Sequence, residues 1–308
     1  MKKNKSVFMK NIDNSFPLII MTRNDADFLK ACINSILNTV TIDVRIYIID
    51  NQSDDIHHKD ILSELEKKHN NIKVVYNKKN LWVLGVNETI KVIKENHRGK
   101  YFFLTDGDID FSICAAEPCW LTYLIQKMEK NICLGKIGLS LSWDYLVNHQ
   151  GLEKILEQEK GLYSEEHKID DLFVSFVDTT ATIFRFDWSV DPSSGIYPDH
   201  MRYLRPELYS CRTSKNIVVE HLGWHLYDNS SKLKINHVNS KVRCFTLVGG
   251  DVKDEILELA DRKYKWFYKI CSKSIRRAWF IRRYYYLFKY IFLKGMRHFD
   301  GQGYINNK

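Results

Sequence analysis

Four short apolar runs alternate with helix-period segments over the first third of the chain, and each run ends in a polar cluster. The runs are residues 18–21, 44–49, 72–76 and 101–104. They are apolar on both faces, as expected of strands covered from two sides. After the first, Phe28, Leu29, Cys32, Ile33, Ile36 and Leu37 keep a helical period, with Asn24 or Asp25 placed to cap the helix. Further helices are expected over 59–69 and 86–95. Strand and helix alternating four times predicts an α/β fold, a parallel sheet with helices on both faces. In such sheets ligands bind beyond the carboxyl ends of the strands. Those ends carry Thr22 and Asn24, the cluster from Asp50 to Asp55, residues 77–80, and Asp106 to Asp110. All four polar clusters are therefore expected on one edge.

The last cluster, in KYFFLTDGDIDF from Lys100 to Phe111, brings the most chemistry. Extended backbone sends Asp106, Asp108 and Asp110 to the same side. Like charges converging at the mouth of a hydrophobic strand raise one another's pKa unless a cation lies among them. Mn2+ or Mg2+ suits that place, because hard cations take carboxylate oxygens and leave positions for phosphate. Gly107 removes a Cβ where a ligand would approach. An Asp-rich surface turn explains the same residues without chemistry, and Asp50 to Asp55 can simply cap the next helix. The agreement of four separate strand ends favours a site.

In this order, PLIIMTRN, IYIIDNQSDD, VVYNKKN and YFFLTDGDID resemble the nucleotide-binding half of a GT-A glycosyltransferase, most closely the family 2 type, over residues 16–145. The resemblance implies a nucleotide-sugar donor, a UDP-sugar first among them. Thr22, Asn24 and Asp50 would hold base and ribose, with Asn80 a further donor contact. Asp106 and Asp108 would form the DxD pair for metal and sugar diphosphate. One departure is visible: family members often carry Asn-Leu-Gly where this chain has Asn80, Leu81 and Trp82.

The second half must supply the acceptor site. Residues 118–130 read as a helix and 136–141 as a strand. Trp143, followed by Asp144 and Tyr145, can stack a sugar ring or belong to the core. The charged stretch 151–168 reads as a helix plus an insertion. Two β-rich runs then flank Asp178, Thr179 and Thr180, which the resemblance places under acceptor and donor sugar. An inverting transfer needs a base beside the acceptor hydroxyl. Asp191, Asp199, His200 and Glu207 are candidates; the resemblance favours Asp199, with helix capping as the plain alternative. In HLGWH, His221 sits where GT-A enzymes draw a further metal or diphosphate ligand, and imidazole joins carboxylates around Mn2+; a structural histidine is the other reading. The implied organisation is an N-terminal extension (1–15), a donor half (16–145), an acceptor half (146–250) and a basic, aromatic C-terminal helical segment (251–308).

Composition changes the picture mainly at that segment. With 44% hydrophobic and 27% charged residues among 308, the chain has ample material for one large domain with an appendage. Seven cysteines without a C-x-x-C pair suit reduced thiols in a cytoplasm rather than a disulfide framework. No export signal and no transmembrane run is expected. The formal charge of +8 hides an asymmetry. Residues 262–298 hold twelve Lys and Arg, twelve aromatics and no Asp or Glu, leaving 34 basic against 38 acidic residues, a net of −4, elsewhere. At a helical period this makes an interfacial helix for anionic lipid. A helix packed on the domain is the plain alternative, and single-stranded nucleic acid is the less favoured partner.

Together these readings predict a cytoplasmic, peripherally membrane-associated glycosyltransferase. It would extend a saccharide or lipid-linked acceptor in bacterial-type surface glycan synthesis. A nucleotidyltransferase is the alternative enzyme, although no Gly- and Lys/Arg-rich phosphate loop follows the first strand. A non-catalytic nucleotide- or nucleic-acid-binding module is the alternative outside enzymes.

Overall fold

A computed structural model describes residues 13–131, 134–186, 210–226 and 238–294. The four expected strands are present as β1 (Phe16–Thr22), β2 (Val44–Asp50), β3 (Ile72–Tyr76) and β4 (Tyr101–Asp106). Between them lie α1 (Ala26–Thr39), α2 (Ile56–Lys68) and α3 (Asn87–Asn96), the last preceded by a 3-10 turn, Trp82–Val86. β3, β2, β1 and β4 lie side by side and all parallel, with Thr22 opposite Asp50 and Met21 opposite Asp106. That register brings the polar strand ends to one edge.

Alternation along each strand builds two cores. Leu18, Ile20, Ile46, Ile48 and Phe103 face Leu29, Ile33 and Ile36 of α1 and Ile61, Leu62 and Leu65 of α2. Ile19, Met21, Tyr47, Ile49, Phe102 and Leu104 face Ile90 and Ile93 of α3. A strand clad on both faces must be apolar throughout.

The chain continues through β5 (Ile109–Asp110), α4 (Trp120–Lys130), β6 (Lys136–Gly138), β7 (Ser140–Leu141), α5 (Asp144–Asn148), α6 (Glu153–Lys160), β8 (Lys168–Ile169), β9 (Leu172–Val174), β10 (Thr182–Arg185), β11 (Ser210–Arg212) and β12 (Val218–His221). The strand expected over 136–141 is split: β6 joins the main sheet, while β7 pairs with β12 in a small second sheet, β5-β12-β7. β10 runs antiparallel between β4 and β6 and ties the later strands to the first four. Arg185 at its end is buried. Its guanidinium donates to Leu134 O at 2.9 Å and to Met128 O, near the carboxyl end of α4, at 2.7 Å. A cation suits a helix carboxyl terminus.

Three further helices follow, α7 (Val238–Leu247), α8 (Asp254–Leu259) and the 33-residue α9 (Arg262–Lys294). Tyr264, Tyr268, Ile275 and Trp279 of α9 pack toward α7 and α8.

Under the turn between β4 and β5, Phe103, Phe111 and Trp120 form an aromatic cluster, with Phe111 stacked on Trp120 at 4.5 Å. Phe111 N also donates to Ser35 Oγ on α1 at 3.0 Å. This cluster seats the turn. Phe111→Ala should therefore cost about 3–5 kcal/mol, read as a lower urea midpoint at unchanged slope.

Candidate active site

The loops after β1 and β2 are fastened to each other by their own side chains. Asn24, at φ 54°, accepts from the backbone N–H groups of Asp54 and Asp55 at 3.0 and 3.1 Å. Asp50 is buried and accepts from Ser53 N at 3.0 Å and Ser53 Oγ at 2.5 Å. Asp55 caps α2 by accepting from His57 N, as the capping reading allowed. Asp25 stands at the N-cap position of α1 yet makes no side-chain cap bond; it accepts instead from the Thr22 hydroxyl and from Arg23 N.

His58 of α2, fully buried, closes a ring of bonds with these residues. Asp25 N donates to its Nδ1 at 3.2 Å, so the ring proton sits on Nε2, which donates to Thr22 Oγ1 at 3.3 Å. Burial raises the Asp25 pKa, against the hydrogen bond from Thr22 and the nearby His58.

Beyond these loops lies a pocket of about 310 Å³. Thr22, Arg23, Asp25, Asn51, Asn80, Trp82, Asp106, Gly107 and Asp108 line it. Of the expected donor residues, Thr22, Asn80, Asp106 and Asp108 thus meet in one place. Asn24 and Asp50 do not line it; their side chains hold the loops that do. Arg23, Asp25 and Asn51 were missed, although each adjoins a residue singled out from the sequence. A larger cavity of about 510 Å³ lies at the opposite ends of β1 and β2, beside the Asp13–Arg45 ion pair. It holds none of the converging carboxylates.

Extended backbone does not carry all three aspartates to one side, because residues 107 and 108 form a turn. Asp110 instead accepts from Ser112 N at 2.8 Å. Gly107 is required by its neighbours more than by a ligand: a Cβ there would come within 3.3 Å of Met21 O and Thr22. Its N–H donates to Met21 O at 2.8 Å, docking the turn on β1.

Burial pushes the Asp106 pKa up to about 7, with Asp108 and Asp178 adding to it and the Thr180 hydroxyl, donating to Oδ2 at 2.8 Å, opposing it. Asp108 is pushed up to about 6 by burial, then by Asp25. β12 pairs with β5 and sets His221 opposite Ile109, which brings His221 Nδ1 to 3.8 Å from Asp108 Oδ2. Burial lowers the His221 pKa and favours neutral imidazole. Its ring stacks on Trp224 at 4.9 Å. Gly223 lies against both groups: a Cβ would collide with Asp108 Oδ2 and the His221 ring.

Among the described residues no set of three or more His, Cys, Asp or Glu is arranged as a metal centre. Yet Asp108 Oδ1 and His221 Nδ1 are buried without a hydrogen-bond partner. A carboxylate oxygen and an imidazole nitrogen left unpaired in one place fit one side of a divalent cation.

A model of glycosyl transferase family 2 matches residues 18–190, more than half of the 308 residues. The chain belongs to that family. It is a glycosyltransferase, with the GT-A fold that its sheet and strand order present. Its structure is similar to mannosyltransferase PcManGT from Pyrobaculum calidifontis, solved with GDP-Man and Mn2+, at TM-score 0.46 and 8% identity over 92% of this chain and 79% of that one. It is also similar to S. aureus TarS 1-349, at TM-score 0.42 and 13% identity over 88% and 91%. GalNAc-T7, solved with UDP, GalNAc and Mn2+, follows at TM-score 0.44 and 15% identity over 86% and 58%. No curated protein matches the sequence.

Of the residues expected at the acceptor, Asp178 accepts from Thr180 N at 3.0 Å and acts electrostatically on Asp106, and Thr179 is half-buried. Trp143 is half-buried against the main core, edge-on to Tyr163 at 5.5 Å, and does not line the pocket. Its Nε1 is buried without a partner. Asp191, Asp199, His200 and Glu207 lie outside the described residues. Glu159 of α6, not singled out in the sequence, is buried with one unpartnered carboxylate oxygen and a pKa raised by burial; Arg212, Asp178 and His221 all act on it electrostatically. Its charged, low-hydropathy stretch disguised it as surface.

In metal-free protein, Asp106 and Asp108 hold protons in the folded state at a pH where the unfolded chain has released them, near 3.8. Stability should therefore fall as pH rises from about 4 to about 7. With EDTA, Asp106→Asn should melt above wild type at pH 8 and no higher at pH 4. Parallel Tm–pH curves for the two proteins would count against the buried carboxyl.

Proposed function

We propose that this glycosyltransferase is metal-dependent and moves a hexosyl group from a nucleotide-sugar, with UDP-sugars the first to test, onto a saccharide or lipid-linked acceptor with inversion. The observation that carries the reading is the meeting of Asp106 and Asp108 in the pocket formed by the β1 and β2 loops, with His221 Nδ1 behind them at 3.8 Å from Asp108 Oδ2. The nucleotide lies along Thr22, Arg23, Asn51 and Asn80, and the diphosphate faces the Asp106–Asp108 turn. Asp108, with Asp106 and His221, would hold Mn2+ or Mg2+, which when bound neutralises the leaving diphosphate.

In the transfer, the acceptor hydroxyl oxygen bonds to the anomeric carbon as the bond from that carbon to the diphosphate oxygen breaks. The electron pair leaves with the diphosphate. The hydroxyl proton goes to a carboxylate, which the family resemblance assigns to Asp199. Asp178 and Thr180 position Asp106 from the acceptor side.

Two observations support work at a membrane surface. Ile281, Tyr285, Phe288 and Phe292 of α9 are 62, 61, 63 and 89% exposed and, at spacings of four, three and four residues, lie on one helical face. The segment around them is basic throughout. No helix among the described residues is long and apolar enough to cross a membrane. An anionic lipid surface complements both faces of such a helix.

Ligand that binds the folded state alone raises stability by about 2.7 kcal/mol at a hundredfold excess over Kd. A panel of nucleoside diphosphates and nucleotide-sugars, each with Mn2+ and with EDTA, should give a metal-dependent rise in Tm for one base. Asp108→Ala should abolish it. No shift with any nucleotide would refute the donor site.

Vesicles containing anionic lipid should carry the protein upward in a flotation gradient, and neutral vesicles should not. The double variant Phe288→Glu, Phe292→Glu should stay at the bottom with its nucleotide response intact. Equal flotation of variant and wild type would remove α9 from the lipid contact.

A further inference from the structure

The turn that carries Trp82 faces the nucleotide pocket on one side and the C-terminal helices on the other. Trp82 lines the pocket with Asn80, Asp106 and Asp108. Its backbone sits at φ 51°, a left-handed conformation that side chains other than glycine adopt reluctantly. Two bonds hold it there: Trp82 N donates to Asn80 Oδ1 at 3.1 Å, and Asn51 Nδ2 donates to Trp82 O at 3.2 Å. Both partners are pocket residues.

The indole points the other way into the molecule. Its Nε1 donates to Ser240 Oγ of α7 at 3.3 Å, across 158 residues of sequence. It packs in a cluster with Cys244 of α7, with Val248 just after that helix, and with Ile275 and Trp279 of α9. Trp279 Nε1 in turn donates to Leu247 O, in the last turn of α7, at 2.8 Å. A non-glycine residue held at positive φ persists only where its surroundings over-determine it, and such positions gather at functional sites.

We propose that Trp82 makes the C-terminal helical unit part of the donor site, so that packing at Trp279, remote from the pocket, sets the affinity for the nucleotide. The proposal rests on the donor-site reading above. Among the described residues, the α7–α9 cluster is what supports the outer side of the wall at Trp82. With that support removed, the nucleotide must order the wall at its own expense on binding, which weakens affinity with no loss of any group that touches the reacting atoms. Trp279 and Ser240 are positioning residues in this scheme, and Trp82 is the wall itself.

Calorimetric titration of UDP, GDP, ADP, CDP and dTDP, each with Mn2+, into wild type, Trp82→Gly, Trp279→Ala and Ser240→Ala tests the proposal. Glycine suits the backbone at position 82, so Trp82→Gly keeps the turn while removing the indole, and Ser240→Ala deletes one hydrogen bond from an otherwise intact cluster. For the nucleotide that wild type binds, Kd should rise about tenfold in Trp82→Gly and Trp279→Ala and by a smaller factor in Ser240→Ala. In donor turnover, Trp279→Ala should raise KM for the donor and leave kcat at saturation unchanged. Trp82→Phe, which keeps the ring, should recover most of the affinity.

A lower Tm with unchanged Kd in Trp279→Ala and Trp82→Gly would make the cluster structural only and overturn the inference while leaving the donor site standing. Wild type that binds none of these nucleotides would overturn both.

Discussion

The burial of Asp106 and Asp108 at the end of β4 is the constraint on which the rest of the structure depends. β4 is walled by β1 on one side and β10 on the other, and its carboxyl end opens into a space where water solvates poorly. Ionising both carboxylates there is unfavourable, as their raised pKa values record. The fold answers with neutral or weakly basic partners drawn from distant segments: the Thr180 hydroxyl, the His221 imidazole and a glycine at 223 that leaves room for Asp108. A site left electron-rich in this way is primed for positive charge.

The neighbouring loops are made rigid by the same residues that make them polar. Asn24 replaces missing helix partners at the start of α2, Asp50 orders the turn at Ser53, and His58 is the buried keystone between Thr22 and Asp25. Such bonds fix pocket geometry before any ligand arrives. Arg23, Asn51 and Asn80 line the pocket beside them, and Asn51 and Asn80 also hold the backbone of Trp82.

The later half of the chain joins this edge by strand pairing rather than by a hinge. β10 enters the main sheet beside β4, and β12 reaches β5 through the small sheet, so Thr180 and His221 arrive in a fixed relation to the aspartates. The C-terminal helices then close the outer side of the 3-10 turn at Trp82. Pieces from four parts of the chain thus frame one pocket.

The sequence by itself determined the parallel sheet and the polar edge where its strands end. Apolar runs without alternation need cover on both faces, and polar ends after parallel strands gather on one side; Thr22, Asn80, Asp106 and Asp108 were legible for that reason. Tertiary structure decided which polar residues line the pocket and which only hold the loops around it. Asn51 lines the pocket while Asn24 and Asp50 do not, a difference set by the path of each turn that no spacing rule encodes. Nor could alternation foresee that a turn at 107–108 would break the aspartate row. His58, Glu159 and Trp82 draw their roles from partners far away in sequence, because burial and long-range hydrogen bonds exist only once the sheet has closed around them.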